Sequence, residues 1–152
     1  MDTITTFIHI NGKEIQPNRK ILEWMLFELY YHLGNIYADG KGVEQDLEMA
    51  IEYHKKSANL GNGRAYNNLG NIYFYGCGVS INYKRALEFY KKASDLDNAN
   101  ACFMIGWIYR NGIGVEVDFD KAEQYFKKAG DLGDKVGYSN YMMLKSIKDE
   151  EK

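Results

Sequence analysis

Apolar residues in this chain recur at helical rather than alternating spacing. Tyr66, Leu69 and Tyr73 stand at i, i+3 and i+7, and after a break Tyr83, Ala86, Leu87 and Tyr90 resume the rhythm. Two amphipathic helices in succession are the expected outcome. The break contains Gly76-Cys77-Gly78-Val79, matched elsewhere by Gly40-Lys41-Gly42-Val43 and Gly112-Ile113-Gly114-Val115. Gly40, Gly76 and Gly112 can adopt the left-handed conformation that ends a helix. Asp46, Asn82 and Asp118 sit just before the next apolar run, each with a side-chain oxygen suited to cap the second helix. Leu60-Gly61, Leu96-Asp97 and Leu132-Gly133 close the second helices.

These elements repeat with a fixed period. Leu33-Gly34-Asn35-Ile36-Tyr37 recurs as Leu69-Gly70-Asn71-Ile72-Tyr73 and as Ile105-Gly106-Trp107-Ile108-Tyr109, each copy 36 residues after the last. Ala50, Ala86 and Ala122 keep the same offset, as do the dibasic pairs Lys55-Lys56, Lys91-Lys92 and Lys127-Lys128. A period between 20 and 50 residues marks stacked units that bury a continuous core only as neighbours. Gly34, Gly70 and Gly106 would sit mid-helix, at a cost of about 1 kcal/mol each against alanine, so their recurrence implies close helix packing. The expected partners in that packing are Ala50, Ala86 and Ala122.

The ends depart from the period. Phe7-Ile8-His9-Ile10, Asn11-Gly12 and Lys13-Glu14-Ile15 carry the signal of a short hairpin with a two-residue turn. Residues 1–16 are therefore an N-terminal extension with a possible hairpin, either a cap on the first repeat or a segment that orders on a partner or a second copy. The first helix is expected after Pro17 and through Trp24. A single solenoid is expected over 17–148, with repeats at about 27–62, 63–98 and 99–134 and a C-terminal capping helix over 135–148. Residues 149–152 are expected to fray.

Composition narrows the class. At 152 residues, 45% hydrophobic and 26% charged, the chain is of ordinary globular make-up. A net charge of −2 with scattered lysines offers no long-range attraction to nucleic acid or anionic membranes. Cys77 and Cys102 form neither a disulfide framework nor a zinc spacing. Met1 to Ile10 lacks the charge and apolar run of a signal peptide, and no later segment is long and apolar enough to span a membrane. A reducing, cytoplasmic setting is the expectation, with no metal and no cofactor.

The order Leu-Gly-x-x-Tyr, Gly-x-Gly-Val, polar cap, Ala, aromatic, Lys-Lys-Ala resembles the Sel-1-like repeat, a relative of the tetratricopeptide repeat, over roughly Met25 to Met142. The resemblance implies an all-α fold, a right-handed alpha-alpha superhelix (TPR-like solenoid) whose first helices line a concave surface. It also implies scaffold or adaptor roles. Tyr31, Asn35, Arg64, Asn67, Asn71, Phe74, Tyr75, Phe103, Trp107 and Arg110 then fall on the side away from the packed arc, with Glu28, Asp39, Asn100 and Asn111 beside them. Similar tetratricopeptide clamps place asparagine at the positions of Asn35 and Asn71, which implies a backbone-holding role for these two. Asparagine supplies both a donor and an acceptor to a peptide backbone, and Trp107 has the residue type that dominates interface energetics.

The expected function is a protein-protein interaction module, an adaptor or scaffold holding an extended peptide or protein segment on its concave face. The alternative is a dedicated inhibitor, antitoxin or immunity protein that blocks one folded partner. Monomer and homodimer both remain open. The lysine pairs are expected to meet the negative ends of the second-helix dipoles. Catalysis is not expected, because His9, His32 and His54 lie far apart in the repeat frame and no nucleophile-base set recurs. Cysteine-rich members of the resembled family, associated with β-lactams, carry a cysteine pair in each repeat, which this chain lacks.

Overall fold

A computed structural model of the protein describes residues 8–10, 13–15 and 18–150. Strands β1 (Ile8–Ile10) and β2 (Lys13–Ile15) pair antiparallel, with Ile8 opposite Ile15 and Ile10 opposite Lys13. The expected Asn11-Gly12 turn and the helix-starting Pro17 lie outside the described residues. Seven helices follow among those residues: α1 (Arg19–Asp39), α2 (Leu47–Asn59), α3 (Gly63–Tyr75), α4 (Tyr83–Asp95), α5 (Ala99–Asn111), α6 (Phe119–Asp131) and α7 (Lys135–Glu150). Each packs on its sequence neighbours, and α3 also touches α5, as α5 touches α7. The chain is an all-α helical solenoid preceded by a short antiparallel strand pair.

The local chemistry explains the element boundaries. Gly76 has φ 74° and Gly112 φ 66°, and their N–H groups donate to the carbonyls of Ile72 and Ile108. The loop then closes when Asn82 N–H donates to Tyr73 O at 2.8 Å, a bond repeated between Asp118 and Tyr109 and between Asp46 and Tyr37. Asp46, Asn82 and Asp118 cap α2, α4 and α6 through the N–H groups of Met49, Arg85 and Lys121, each at 2.9 Å. A second set of caps escaped the sequence reading. Asn62, Asn98 and Asp134 accept from the first turns of α3, α5 and α7, and their 36-residue spacing was the available signal. Asn62 is also tied by its amide to Ser57 Oγ at 2.9 Å.

The mid-helix glycines meet different partners from those expected. Ala50, Ala86 and Ala122 are fully buried, but the group lying over each glycine is the ring one turn further on. A Cβ placed on Gly70 would stand 2.5 Å from the Tyr90 ring, and one on Gly106 would stand 2.7 Å from Phe126. On Gly34 it would meet His54 at 2.7 Å. Tyr90 and Phe126 are wholly buried and His54 is 2% exposed. The glycine lets a planar ring lie flat on helix backbone, and this contact repeats along the core. Asp97 stands where the other two units have Gly61 and Gly133, and it takes the same left-handed region with φ 55°. Its carboxylate faces Lys128 at 3.3 Å.

At the C-terminus the helix outlasts the expected end, running to Glu150 rather than to Lys148. Lys148 reaches back to Asp120 at 2.5 Å and to Glu123, fastening the last turns of α7 to α6.

Candidate functional site

Two clefts mark the surface built on the first helices. The larger, of about 560 Å³, lies between the first two units and includes Asn35, Asn68, Asn71, Asp39, Gln45 and His54 in its lining. The second, of about 240 Å³, is lined by Asn67, Asn71, Tyr75, Asn100, Phe103 and Met104. Asn71 belongs to both, so the two clefts adjoin at its side chain.

The polar groups are held by one bond between units and one within the second unit. Asn68 Nδ2 donates to Asn35 Oδ1 at 3.1 Å, and Tyr90 Oη donates to Asn71 Oδ1 at 2.7 Å. Each amide therefore has its acceptor engaged and its orientation set, and its own N–H₂ makes no hydrogen bond within the described residues. Asn68 was not anticipated, because the equivalent positions hold His32 and Met104 and no repeat signal exists there. The larger cleft has a structural cause in the ring series. Where Tyr90 reaches Asn71, the shorter His54 makes no bond to Asn35, and its buried Nδ1 has no partner. Burial lowers the His54 pKa to about 4, so this ring is neutral at physiological pH. Burial likewise raises the Tyr90 phenol above its ordinary value.

The other expected contact residues divide into open and packed. Tyr75 is 62% exposed and Trp107 36% exposed. Phe103 is half-buried against Phe126, with ring centroids 5.7 Å apart. Phe74 and Asn67, expected on the open side, are buried instead. Phe74 is enclosed by Trp107 at 6.0 Å, Tyr83 at 5.2 Å and Tyr75 at 4.9 Å, so it supports Trp107 from beneath. Asn67 occupies the position of the half-buried aromatics Tyr31 and Phe103, which turns toward the neighbouring unit, and its Oδ1 is buried without a partner. Arg64 stacks on Tyr31, 4.5 Å from the ring centre, and binds Glu28. Arg110 donates to Asn140 at 2.7 Å. Both arginines are thus engaged within the fold. Asn35 and Asn71 share a cleft, while Trp107 stands one unit further along.

The lysine pairs are also largely committed. Lys92 lies over Tyr66 and Phe89 at 5.6 and 5.9 Å, Lys91 over Tyr109 at 5.9 Å, and Lys56 over Tyr53 at 5.1 Å. Lys128 donates to Ser94 O at 2.5 Å. Lys56, Lys91 and Lys92 cover aromatic faces at exposed sites, where such contacts are worth about 0.5–1 kcal/mol. His32 is exposed on α1, 3.7 Å from Glu28, and His54 is buried on α2, so the two do not converge. Cys77 is exposed, and Cys102 is buried beside Ser94 at 3.0 Å.

Stacked helix pairs with a cleft across successive first helices define the class of helical-repeat interaction proteins. The particular family is shown by the Sel1 repeat, whose family model matches residues 28–62, 63–98 and 99–134. The chain belongs to the Sel1 repeat family, whose repeats generally mediate protein-protein interaction and are typically non-enzymatic. A Sel1 repeat protein from Oxalobacter formigenes is 29% identical over 82% of this chain, with a TM-score of 0.74. The protective antigen c5321 of uropathogenic Escherichia coli, with an SLR fold, is 30% identical over 76% of this chain, with a TM-score of 0.68. Helicobacter pylori cysteine rich protein B shares the fold at 22% identity, with a TM-score of 0.63 over 80% of this chain and 96% of its own length. The chain spans 50% of the Oxalobacter protein and 25% of c5321. No curated protein matches it. Among the described residues no helix is long and apolar enough to cross a membrane.

Proposed function

We propose that the chain is an adaptor that holds an extended segment of another protein along its first-helix face. The observation that carries this reading is the pair of clefts meeting at Asn71, with the Asn35 and Asn71 amides fixed by hydrogen bonds from Asn68 and Tyr90. A fixed amide with free N–H groups suits a peptide carbonyl, and it recognises backbone without selecting side chains. Tyr75 and Trp107 supply open aromatic area beside the polar floor, and Phe74 sets the Trp107 ring. Rigid aromatics lose little entropy when they bind.

Affinity capture from the native host lysate tests the reading, with Trp107→Ala and Asn35→Ala compared against wild type and the fold of each verified by circular dichroism. A hot-spot loss of about 2 kcal/mol, near a thirtyfold weaker Kd, is expected for Trp107→Ala. A short fragment of the captured partner should compete with the intact partner. A partner retained equally by both variants would place the working surface elsewhere. Competition only by the folded partner would favour a blocking protein over an adaptor for extended segments.

A further inference from the structure

The second unit shows what the larger cleft lacks. Phe74 is buried among four rings, its centroid 4.9 Å from Tyr75, 5.2 Å from Tyr83, 6.0 Å from Trp107 and 6.4 Å from Tyr90. One period of 36 residues earlier, Ala38 stands in the place of Phe74, and Asp39, Leu47, Asn71 and His54 stand in the places of the four rings. All five line the cleft between the first two units. Helices α1, α2 and α3 stack as α3, α4 and α5 do, so the same backbone frame encloses a ring in one place and leaves about 560 Å³ open in the other. That volume lies within the roughly 300–1,000 Å³ of small-ligand sites.

The chemistry of the wall narrows the occupant. Leu47 and Ala50 supply apolar surface, and His54 supplies a neutral ring, because burial holds its pKa at about 4. Where the second frame has Tyr75 and Trp107, this one has a carboxylate and an amide. Asn71 has hydrogens to give, since its Oδ1 is taken by Tyr90 and its Nδ2 is not. Asp39 accepts from Lys41 Nζ through Oδ2 at 2.6 Å, which leaves Oδ1 for a second donor. A phenylalanine ring would answer neither group, and an indole can only donate, whereas a phenol both donates and accepts. A cationic side chain is disfavoured, because Lys41 already neutralises Asp39.

We propose that this cleft is a subsite for one tyrosine side chain of the bound segment. The ring takes the place that Phe74 fills one unit later, and the hydroxyl lies between Asp39 and Asn71, as a buried tyrosine hydroxyl requires a partner. The two N–H groups of Asn71 Nδ2 allow a phenol oxygen and a peptide carbonyl to be held by one amide. The inference rests on the adaptor reading above and adds to it the selection of a side chain, which the asparagine amides alone do not provide.

Titration of the full, isotope-labelled chain with N-acetyl-tyrosinamide, N-acetyl-phenylalaninamide and N-acetyl-leucinamide tests this, read by NMR at the side-chain amide signals of Asn35 and Asn71. The tyrosine probe is expected to shift both signals saturably, with a Kd on the order of 1 mM for a fragment of this size. The phenylalanine probe is expected to bind about tenfold more weakly for want of the hydroxyl bonds, and the leucine probe to give no saturable shift. Ala38→Phe supplies the ring from within, and it should abolish the response to the tyrosine probe while keeping its helical circular dichroism. The probe series on wild type stands whether or not that variant folds. A phenylalanine or leucine probe that binds as tightly as the tyrosine probe overturns the assignment, as does a folded Ala38→Phe that responds like wild type. Silence to all three probes overturns it as well. The adaptor reading fails separately, through a partner retained equally by Trp107→Ala and Asn35→Ala.

Discussion

Tyr90→Ala is expected to lower the free energy of unfolding by about 3–5 kcal/mol, the cost of removing a large, fully buried ring from a packed core. Tyr90 is wholly buried and lies on Gly70 in the central unit, with Phe74 and Asn71 against it. The opposite error, Gly70→Ala, drives a methyl into that ring from only 2.5 Å and should cost about 1–3 kcal/mol by overpacking. Tyr90→Phe keeps the ring and removes only the bond to Asn71, a loss of about 1 kcal/mol. Urea unfolding followed by circular dichroism ranks the three, with Tyr90→Ala lowest in midpoint, then Gly70→Ala, then Tyr90→Phe. A Tyr90→Ala midpoint indistinguishable from wild type would mean the ring-on-glycine contact does not support the stack.

Stability is expected to fall by roughly 3 kcal/mol between neutral pH and pH 4 through His54 alone, at 1.36 kcal/mol per pKa unit. The His54 pKa is lowered by burial from 6.5 to about 4 in the folded chain. Between these values the unfolded state binds a proton that the folded state refuses, so stability rises with pH across the window. The contribution is complete above pH 6.5 and is lost as pH falls toward 4. His54→Phe removes the titration while keeping a ring over Gly34, the arrangement Phe126 already makes on Gly106. Urea midpoints measured from pH 7.5 down to 4.5 should therefore drop for wild type and hold nearly level for His54→Phe across pH 5–6.5, where few carboxylates titrate. Equal slopes for the two proteins would show that His54 does not oppose protonation.

Much of the fold was legible because each unit states its pattern three times. The Gly-x-Gly turns, the caps at Asp46, Asn82 and Asp118 and the mid-helix glycines recur at one offset, so local chemistry and global architecture agree at every copy. What lay over those glycines was harder to read. Ala50, Ala86 and Ala122 and the rings at 54, 90 and 126 all share the period, and only coordinates separate a neighbour from a lid.

The candidate site was less legible, because its surroundings come from other units. Position 74 holds Phe where the flanking copies have Ala38 and Arg110, and its burial depends on Trp107 and Tyr83 arriving from elsewhere in the chain. A helical wheel of α3 alone therefore faced it outward. Asn67 failed in the same way. The bond between Asn68 and Asn35 spans two units and involves a position that does not repeat, so periodicity carried no trace of it.

The central claim is that partners are held on the first-helix face, and hydrogen exchange of the chain with and without its captured partner tests it most directly. Slowed exchange at the ends of α1, α3 and α5 around Asn35, Asn71, Tyr75 and Trp107, with α2, α4 and α6 unchanged, is the expected result. Protection confined to the lysine-bearing turns of α2, α4 and α6 would contradict it and move the interaction to the outer face.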